Sequence, residues 1–306
     1  MHVLEHSMPE TVTPIARLYA GMRTRLAPLG PILSRLRPLR RAVYRLDSLV
    51  MPRGEVRVTT SAGWSIWVNP SDHAVARTLV ASGQWQPKES SLIASKLPTE
   101  GVAIDVGANI GYVTGVMAEK VGPNGLVLAF EPEETNYGFL ERTVSENGWA
   151  QVSATRAACG DAPGRLALHK DPVNWGNHSL ALDAELHVAG TEVVDVVTLD
   201  DVMRERRLSR LDVMKIDVQG WELKVLRGAS RLKVLRPTLF AEFFPRGLRA
   251  AGTEPLELWQ ELLTWGQILM IQSDGGAREV TLKEAIGDPR EPSWSVDLMV
   301  TPLQQP

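Results

Sequence analysis

The sequence predicts a doubly wound α/β fold with an N-terminal helical and hairpin extension, and two patterns support this. From Gly101 onward, short apolar runs of strand length alternate with amphipathic runs of helix length. This alternation is typical of a parallel sheet with helices on both faces. The first apolar run ends in a glycine-containing turn, residues 105–111, that leads directly into a helix pattern. Such a turn is where this kind of sheet binds ligands.

The predicted elements of this domain, residues 101–306, follow one another regularly. Strands are expected at 102–106, 126–131, 152–158, 211–217, 238–244, 267–273 and 296–301. Helices are expected at 112–121, 133–147, 221–232 and 255–265. An insertion, 164–208, interrupts the order with two strand-like runs, 165–169 and 192–197, and loops at that edge usually carry substrate specificity.

Two segments precede the domain. The first, residues 1–54, is basic: the first fifty residues carry eight arginines and three acidic residues. Its apolar residues recur at helical spacing between prolines, which predicts two or three short amphipathic helices. We expect these helices to pack on the catalytic domain or on a second subunit in a homodimer, with peripheral attachment to an anionic membrane as the alternative. The second segment, 55–100, predicts a hairpin over 55–68 and helices at 72–82 and 87–97.

Composition and charge argue against a nucleic-acid-binding, disulfide-bonded, membrane-spanning or secreted protein. The 306 residues carry a formal net charge of -3, which gives no global attraction for nucleic acid. A single cysteine excludes an intrachain disulfide and a CxxC motif. No apolar run reaches the roughly 18 residues of a membrane span, and the start lacks the apolar core of a secretory signal. These features favour a cytoplasmic protein.

The turn at 105–111 favours a cationic ligand over a diphosphate. Gly107 and Gly111 allow a tight turn and close backbone approach, but Asn109 stands where a dinucleotide fingerprint has its middle glycine. Asp105 ends the strand with a carboxylate, which would repel a diphosphate. The same carboxylate would attract the ammonium and sulfonium groups of S-adenosylmethionine. In a purely structural alternative, Asp105 caps the helix and the glycines only turn the chain.

The next two strand ends extend this site. Glu131, followed by Pro132, lies about twenty residues beyond the glycine turn, where an acidic residue accepts hydrogen bonds from ribose hydroxyls in this architecture. The segment Cys159-Gly160-Asp161 is expected to close the third strand, cover the adenine and offer Asp161 to its amino group. An ordinary β-turn is the alternative there.

The acceptor side is predicted from carboxylates at later strand ends. Asp217 ends the fourth strand at the ligand-binding edge, where it could accept the proton of an acceptor hydroxyl or simply cap a helix. Lys215 shares its face and is expected to pair with it. Glu242 on the fifth strand has a similar placement, and His178 in the insertion is another candidate base. A metal held by His178, Asp217 and Glu242 is conceivable, but their spacing does not require one.

With these residues identified, the chain resembles the FkbM-type family of S-adenosylmethionine-dependent methyltransferases. The resemblance is carried by residues 105–112 (DVGANIGY), 129–132 (AFEP), 198–201 (TLDD), 215–223 (KIDVQGWEL) and 226–229 (LRGA). It implies a class I methyltransferase (Rossmann-like) fold and O-methylation of natural products, glycans or glycolipids. Two positions depart from the family: Gln219 stands where the family commonly has Glu, and Trp85-Gln86 stands where it has an aromatic residue followed by Glu.

The sequence therefore predicts a methyltransferase that binds S-adenosylmethionine and acts on a hydroxyl of a small-molecule or glycan acceptor. The expected cofactor contacts are Asp105, Gly107, Ala108, Asn109, Gly111, Tyr112, Glu131, Pro132, Cys159, Gly160 and Asp161. The expected catalytic candidates are Asp217, His178 and Glu242. One rival is a nicotinamide-dependent oxidoreductase, disfavoured because the chain lacks GxGxxG and Tyr-x-x-x-Lys. The other is a catalytically inactive cofactor-binding adaptor.

Overall fold

The computed structural model describes residues 10–11, 13–26, 46, 49–182, 188–288, 291 and 294–303. The chain divides into two compact units, which are described separately. The smaller contains residues 1–85 and 173–176, and the larger contains 86–172 and 177–306. The helix expected at 87–97 therefore belongs to the larger unit, whereas the sequence suggested a division at residue 100.

The smaller unit is built on a short sheet with the order β1-β2-β3. Its strands are β1 (Glu10–Thr11), β2 (Val56–Thr59) and β3 (Ser65–Val68), and its helices are α1 (Pro14–Leu26) and α2 (Val75–Ser82). β2 and β3 form the predicted antiparallel hairpin. Asp72 lies ahead of α2, because its carboxylate accepts hydrogen bonds from the N–H groups of Ala74 and Ala76 and so caps that helix.

Helix α1 confirms a helix within the predicted segment, but two of the apolar residues at helical spacing are not buried. Ala16 and Tyr19 are buried, while Ile15 and Leu18 are 70% and 78% exposed. The second predicted helical run, 32–43, lies outside the described residues. Membrane attachment and dimer formation through this segment stay predictions. No helix within the described part of the chain is long and apolar enough to cross a membrane.

The larger unit is organised around an eight-stranded sheet of the described residues, in the order β13-β12-β14-β11-β10-β4-β5-β6. The strands are β4 (Val102–Val106), β5 (Leu126–Phe130), β6 (Val152–Thr155), β10 (Val213–Ile216), β11 (Thr238–Phe243), β12 (Gln267–Ile271), β13 (Ala277–Glu279) and β14 (Val296–Thr301). Within this sheet β11, β10, β4, β5 and β6 are neighbours in that order and run parallel to one another. β14 is antiparallel to both of its neighbours, β11 and β12. This is the predicted doubly wound sheet.

Helices connect these strands. They are α3 (Pro87–Lys96), α4 (Tyr112–Val121), α5 (Glu134–Glu146), α6 (Leu199–Arg206), α7 (Glu222–Arg227), α8 (Pro245–Ala250), α9 (Pro255–Leu263) and α10 (Leu282–Ile286). The central strands are buried along most of their length, so the apolar runs that predicted strands form the core beneath the helices. Most predicted bounds agree with the structure to within two residues, while α6, α8, β13 and α10 were not predicted.

The insertion forms a second, small sheet. Its strands are β7 (Ala158–Cys159), β8 (Gly164–Lys170) and β9 (Gly190–Val197), in the order β7-β9-β8. The prediction of one strand over 152–158 is therefore wrong: the main-sheet strand ends at Thr155, and Ala158 pairs with Val196 of β9 instead.

The predicted helix at 221–232 is also interrupted. It ends at Arg227, and a separate 3-10 helix covers Ser230–Leu235. The break falls at Gly228, where a Cβ atom would lie 1.9 Å from the carbonyl oxygen of Gly160. Close contact with the small sheet thus requires glycine at this point, and glycine favours the end of a helix.

Candidate active site

The site lies at the carboxyl edge of the sheet, where the strand order changes direction. The chain runs outward from β4 through β5 to β6, and then returns to the other side of β4 with β10 and β11. Val106, Phe130 and Ile216 are neighbours in register, so the loops after β4, β5 and β10 start side by side. Open α/β sheets bind ligands in this crevice.

The two glycines of the first loop are required by protein neighbours. A Cβ atom at Gly107 would lie 2.0 Å from the carbonyl oxygen of Asp217, and one at Gly111 would lie 2.8 Å from Leu140 Cδ1. Both residues have positive φ, at 80° and 90°. The glycines therefore permit the turn and pack it against the loop after β10 and against α5.

Asn109 and Glu131 hold this loop in place. Asn109 has a φ of 51°, a left-handed conformation that asparagine tolerates better than most residues, which explains how it replaces a middle glycine. The backbone N–H of Asn109 donates to Glu131 Oε2 at 2.8 Å, and the N–H of Glu133 donates to Glu131 Oε1 at 2.9 Å. Each carboxylate oxygen can accept a second bond, so the ribose role expected for Glu131 stays a prediction.

Asp105 is fully buried at the end of β4. Thr114 Oγ1 donates to Asp105 Oδ2 at 2.6 Å, and Asp105 Oδ1 has no hydrogen-bond partner among the residues that the structure describes. Burial raises the pKa of Asp105, while Lys215 and Thr114 lower it. A buried acceptor atom without a donor at this edge fits a cationic ligand group.

The other residues expected to contact the cofactor in the loops after β4 and β5 differ in how far they are exposed. Ala108 and Tyr112 are buried, and Pro132 is half-buried beside Glu131. A role for these residues would be to shape the crevice, and direct contact with a ligand stays a prediction for them.

Cys159, Gly160 and Asp161 do not close a strand of the main sheet. Cys159 is buried and ends β7 of the small sheet, and Gly160 and Asp161 follow it. Lys224 Nζ lies 3.3 Å from Asp161 Oδ2. The expectation that they cover the adenine depended on a third strand continuing to Ala158. That strand ends at Thr155, and contact of these three residues with the adenine stays a prediction.

The acceptor side is formed by a chain of polar contacts across β10 and β11. Lys215 Nζ donates to Asp217 Oδ2 at 2.9 Å, as predicted from strand alternation. Gln219 Nε2 donates to Asp217 Oδ1 at 3.1 Å and to Glu242 Oε2 at 2.8 Å. One amide group thus joins the two carboxylates expected at neighbouring strand ends.

Lys215 is surrounded by carboxyl groups that sequence reasoning missed. Glu89, in the first turn of α3, is only 4% exposed, and its electrostatic partners include Lys215, Asp297, Asp217 and Asp105. Asp297 lies opposite Glu242 in the pairing of β11 and β14. The available signal for Glu89 was one acidic residue beside Lys88 in the first turn of a helix, which does not reveal long-range burial.

Burial and neighbouring charges strongly shift the pKa values of Glu89, Glu242 and Lys215. Burial raises the pKa of Glu89 to about 8, and burial with the negative charges of Asp217 and Glu222 raises the pKa of Glu242 well above its ordinary value. Burial alone would lower the pKa of Lys215, but Asp217, Glu89 and Asp105 raise it. Lys215 therefore stays charged, and Glu89 and Glu242 retain protons to unusually high pH.

His178 is not part of this chain of contacts. Its Nδ1 accepts a hydrogen bond from the N–H of Asp171 at 3.0 Å, in the loop between β8 and β9. No three His, Cys, Asp or Glu side chains in the described ranges come together as a metal site. The grouping of His178 with Asp217 and Glu242 around a metal is therefore wrong.

A cavity of about 260 Å³ opens beside Gln219 and Glu242. Its lining includes Ser179, Gln219, Glu242, Phe244, Arg246 and Ser295. Small-molecule pockets typically begin near about 300 Å³, so this cavity suits a compact ligand. Of the two carboxylates in the contact chain, Glu242 is the one that lines it.

With this geometry established, the family can be assigned. Residues 105–269, just over half of the chain, match the model of the methyltransferase FkbM domain. This chain belongs to the FkbM methyltransferase family. The match begins at Asp105 and includes Glu131, Asp217 and Glu242, and the strand order described above is that of the class I fold.

Individual relatives agree with this assignment. The chain is 30% identical over 185 residues to methyltransferase sdnD of Sordaria araneosa, a match covering 51% of this chain and 71% of the relative. It is 25% identical over 140 residues to the hexuronic acid methyltransferase AglP of Haloferax volcanii, covering 45% and 54%. A crystal structure of FkbM from Methylobacillus flagellatus KT has a TM-score of 0.41 at 18% identity, covering 73% of this chain and 52% of that one.

The protein is thus an S-adenosylmethionine-dependent methyltransferase. Its described residues fit such a cofactor, because the buried Asp105 Oδ1 has no hydrogen-bond donor among them and could accept one from the cofactor's ammonium group. The match spans little more than half of the hexuronic acid relative and of the crystal structure.

Proposed function

We propose that this FkbM-family protein methylates an oxygen of a small hydroxylated acceptor, a natural product or a sugar, and that Glu242 accepts the acceptor's proton. The observation that carries this proposal is the position of Glu242, which lines the cavity and is hydrogen-bonded to Gln219 in the loop beside Gly107. Asp217 and His178, the other candidate bases, are absent from the lining described for that cavity.

The residues support this chemistry as follows. When bound, S-adenosylmethionine supplies a methyl group on a positively charged sulfur, which retains the bonding electron pair as the methyl group leaves. Glu242 takes the hydroxyl proton as the acceptor oxygen forms its bond to the methyl carbon. The raised pKa of Glu242 makes it a stronger base than an ordinary carboxylate, which suits proton transfer from a hydroxyl group.

Gln219, Asp217 and Lys215 have positioning roles in this proposal. The Gln219 amide orients the Glu242 carboxylate, and Asp217 fixes the amide from the other side. Lys215 donates to the other oxygen of the Asp217 carboxylate and so fixes its orientation. Alignment of the two reactants contributes to the rate as well.

The acceptor class follows from the compact cavity and from one relative. A volume of about 260 Å³ encloses a ligand of monosaccharide size, or one group of a larger molecule. One relative is named a hexuronic acid methyltransferase, which is consistent with a sugar acceptor.

The decisive experiment uses the full chain, tritium-labelled S-adenosylmethionine and a mixture of hydroxylated acceptors, with calorimetric binding of S-adenosylhomocysteine alongside. Glu242→Gln is expected to lower methyl transfer by about 10²–10⁴-fold with S-adenosylhomocysteine binding unchanged. Glu279→Gln, at an exposed position of β13, is the matched control and should retain full activity.

Two outcomes would contradict the proposal. Methyl transfer at the wild-type rate by Glu242→Gln would remove Glu242 from the mechanism. Label found on nitrogen or carbon of the product, and not on oxygen, would overturn O-methylation. Absence of S-adenosylhomocysteine binding in the wild-type protein would instead contradict the cofactor site.

A further inference from the structure

The cavity beside Glu242 contains one cation, Arg246, among the residues that line it. The other charged lining residue is Glu242 itself. Arg246 belongs to α8, a short helix that the sequence did not predict, and it stands four residues beyond Glu242 in the chain. An arginine and the proposed base therefore share a single small cavity.

A close backbone contact places α8 there. A Cβ atom at Gly220 would lie 2.2 Å from the carbonyl carbon of Gly247, so these two glycines bring α8 directly against the loop that carries Gln219. A Cβ atom at Gly247 would in turn meet the Phe244 ring at 2.5 Å. The helix and the loop are thus held at a separation that side chains larger than hydrogen would prevent.

The guanidinium of Arg246 also has a defined position. Its Cζ atom lies 5.3 Å from the centroid of the Phe244 ring, a cation–π arrangement, and Phe244 lines the same cavity. The planar fork of an arginine suits two-point hydrogen bonding to an oxyanion, such as a carboxylate or a phosphate. A neutral polyol would gain less from this group.

The surrounding carboxyl groups disfavour an anion with two charges. Glu242 lines the cavity, and Asp217, Glu222 and Asp297 act on it as negative neighbours. A dianionic phosphate would be repelled more strongly by these carboxyl groups than a monoanionic carboxylate would. The cavity of about 260 Å³ has room for about one sugar ring.

We propose that Arg246 is the specificity-determining residue of the acceptor site and that the acceptor is a hydroxylated carboxylic acid of monosaccharide size. Its carboxylate would bind Arg246 while one of its hydroxyls faces Glu242. This inference rests on the proposed function, because it assigns the cavity to the acceptor.

The test is a calorimetric comparison of two probes on the full chain loaded with S-adenosylhomocysteine. Methyl β-D-glucuronide is expected to bind at least about tenfold more tightly than methyl β-D-glucoside, because only the former has a carboxylate. Glucose 6-phosphate, as a dianionic probe, is expected to bind more weakly than the glucuronide. Arg246→Gln should remove the preference for the glucuronide and leave S-adenosylhomocysteine binding unchanged.

Arg249→Gln is the matched control, since Arg249 lies on the same helix, is exposed and is absent from the cavity lining. It should keep the preference. Equal binding of glucuronide and glucoside, no binding of either, or a preference that survives in Arg246→Gln would overturn the inference. Tighter binding of glucose 6-phosphate would overturn the choice of a carboxylate over a phosphate. Preference for the glucuronide in a protein that does not bind S-adenosylhomocysteine would support the anion site and contradict the proposed function instead.

Discussion

At the scale of single residues, Gln219 links the two half-buried carboxyl groups Asp217 and Glu242. Its amide donates to both Asp217 and Glu242, which would otherwise face each other as like charges. A glutamate at this position, as the resemblance leads one to expect, would remove the donor and add a third carboxyl group. The departure from the family noted in the sequence therefore falls on the residue that is hydrogen-bonded to the proposed base.

Gln219→Glu is expected to move the pH dependence of methyl transfer to higher pH. An added carboxyl group beside Glu242 raises the pKa of Glu242 further, and the base is active only when it is deprotonated. The rate of the wild-type enzyme should itself rise with pH through the raised pKa of Glu242. The measurement is kcat/KM against pH for both proteins.

The control for this substitution is Gln267→Glu, which adds the same charge at an exposed position of β12. It should leave the pH profile where the wild type has it. A Gln219→Glu profile that superimposes on the wild-type profile would mean that Gln219 does not act on the proposed base.

At the scale of secondary-structure elements, the contact between the β10 loop and α8 depends on two glycines. Gly220 has a φ of 102° and lies against the backbone of Gly247, so its Cβ position is blocked as well as strained. Gly220→Ala is expected to destabilise the protein by about 2 kcal/mol or more. Urea denaturation measures this loss.

Gly138 supplies the opposite case within the same unit. It lies at an exposed position in α5, and a Cβ atom there would meet nothing within 4 Å. Gly138→Ala should therefore stabilise the protein by about 0.5–1 kcal/mol. Similar effects of the two substitutions would show that the contact with α8 is not tight in solution.

At the scale of the whole molecule, the buried carboxyl groups make stability depend on pH. Burial raises the pKa of Glu89 and Glu131 to about 8 and of Glu222 to about 7, compared with 4.5 in the unfolded chain. Between these values the folded state binds more protons than the unfolded state. The free energy of unfolding should therefore fall as the pH rises from about 5 to about 8.

The measurement is the free energy of unfolding from urea denaturation at both ends of this range, which should be lower at the higher pH. Glu89→Gln should reduce the decrease because it removes one titrating group. Glu205→Gln, at an exposed position of α6, should not change it. A free energy of unfolding that stays constant or rises toward pH 8 would show that these carboxyl groups are ionised in the folded protein.

The sequence alone determined the sheet and its cofactor loops. Apolar runs such as 102–106 and the turn at 105–111 are local patterns, and hydrophobic periodicity with glycine spacing is enough to predict them. The pairing of Lys215 with Asp217 followed from strand alternation in the same way. Asp105, Glu131 and Asp217 were therefore placed at the correct edge of the sheet.

Only the tertiary structure decided which side chains meet there. Glu89 lies on α3, the helix before β4, and interacts with Lys215, Asp217 and Asp105. Arg246 lines the cavity because α8 packs directly against the loop after β10, where Gly220 meets Gly247. The third strand of the main sheet ends at Thr155, and Ala158 pairs with β9 instead. These outcomes depend on contacts between distant segments, which local propensity does not encode, whereas the strands and turns depend on neighbours in sequence.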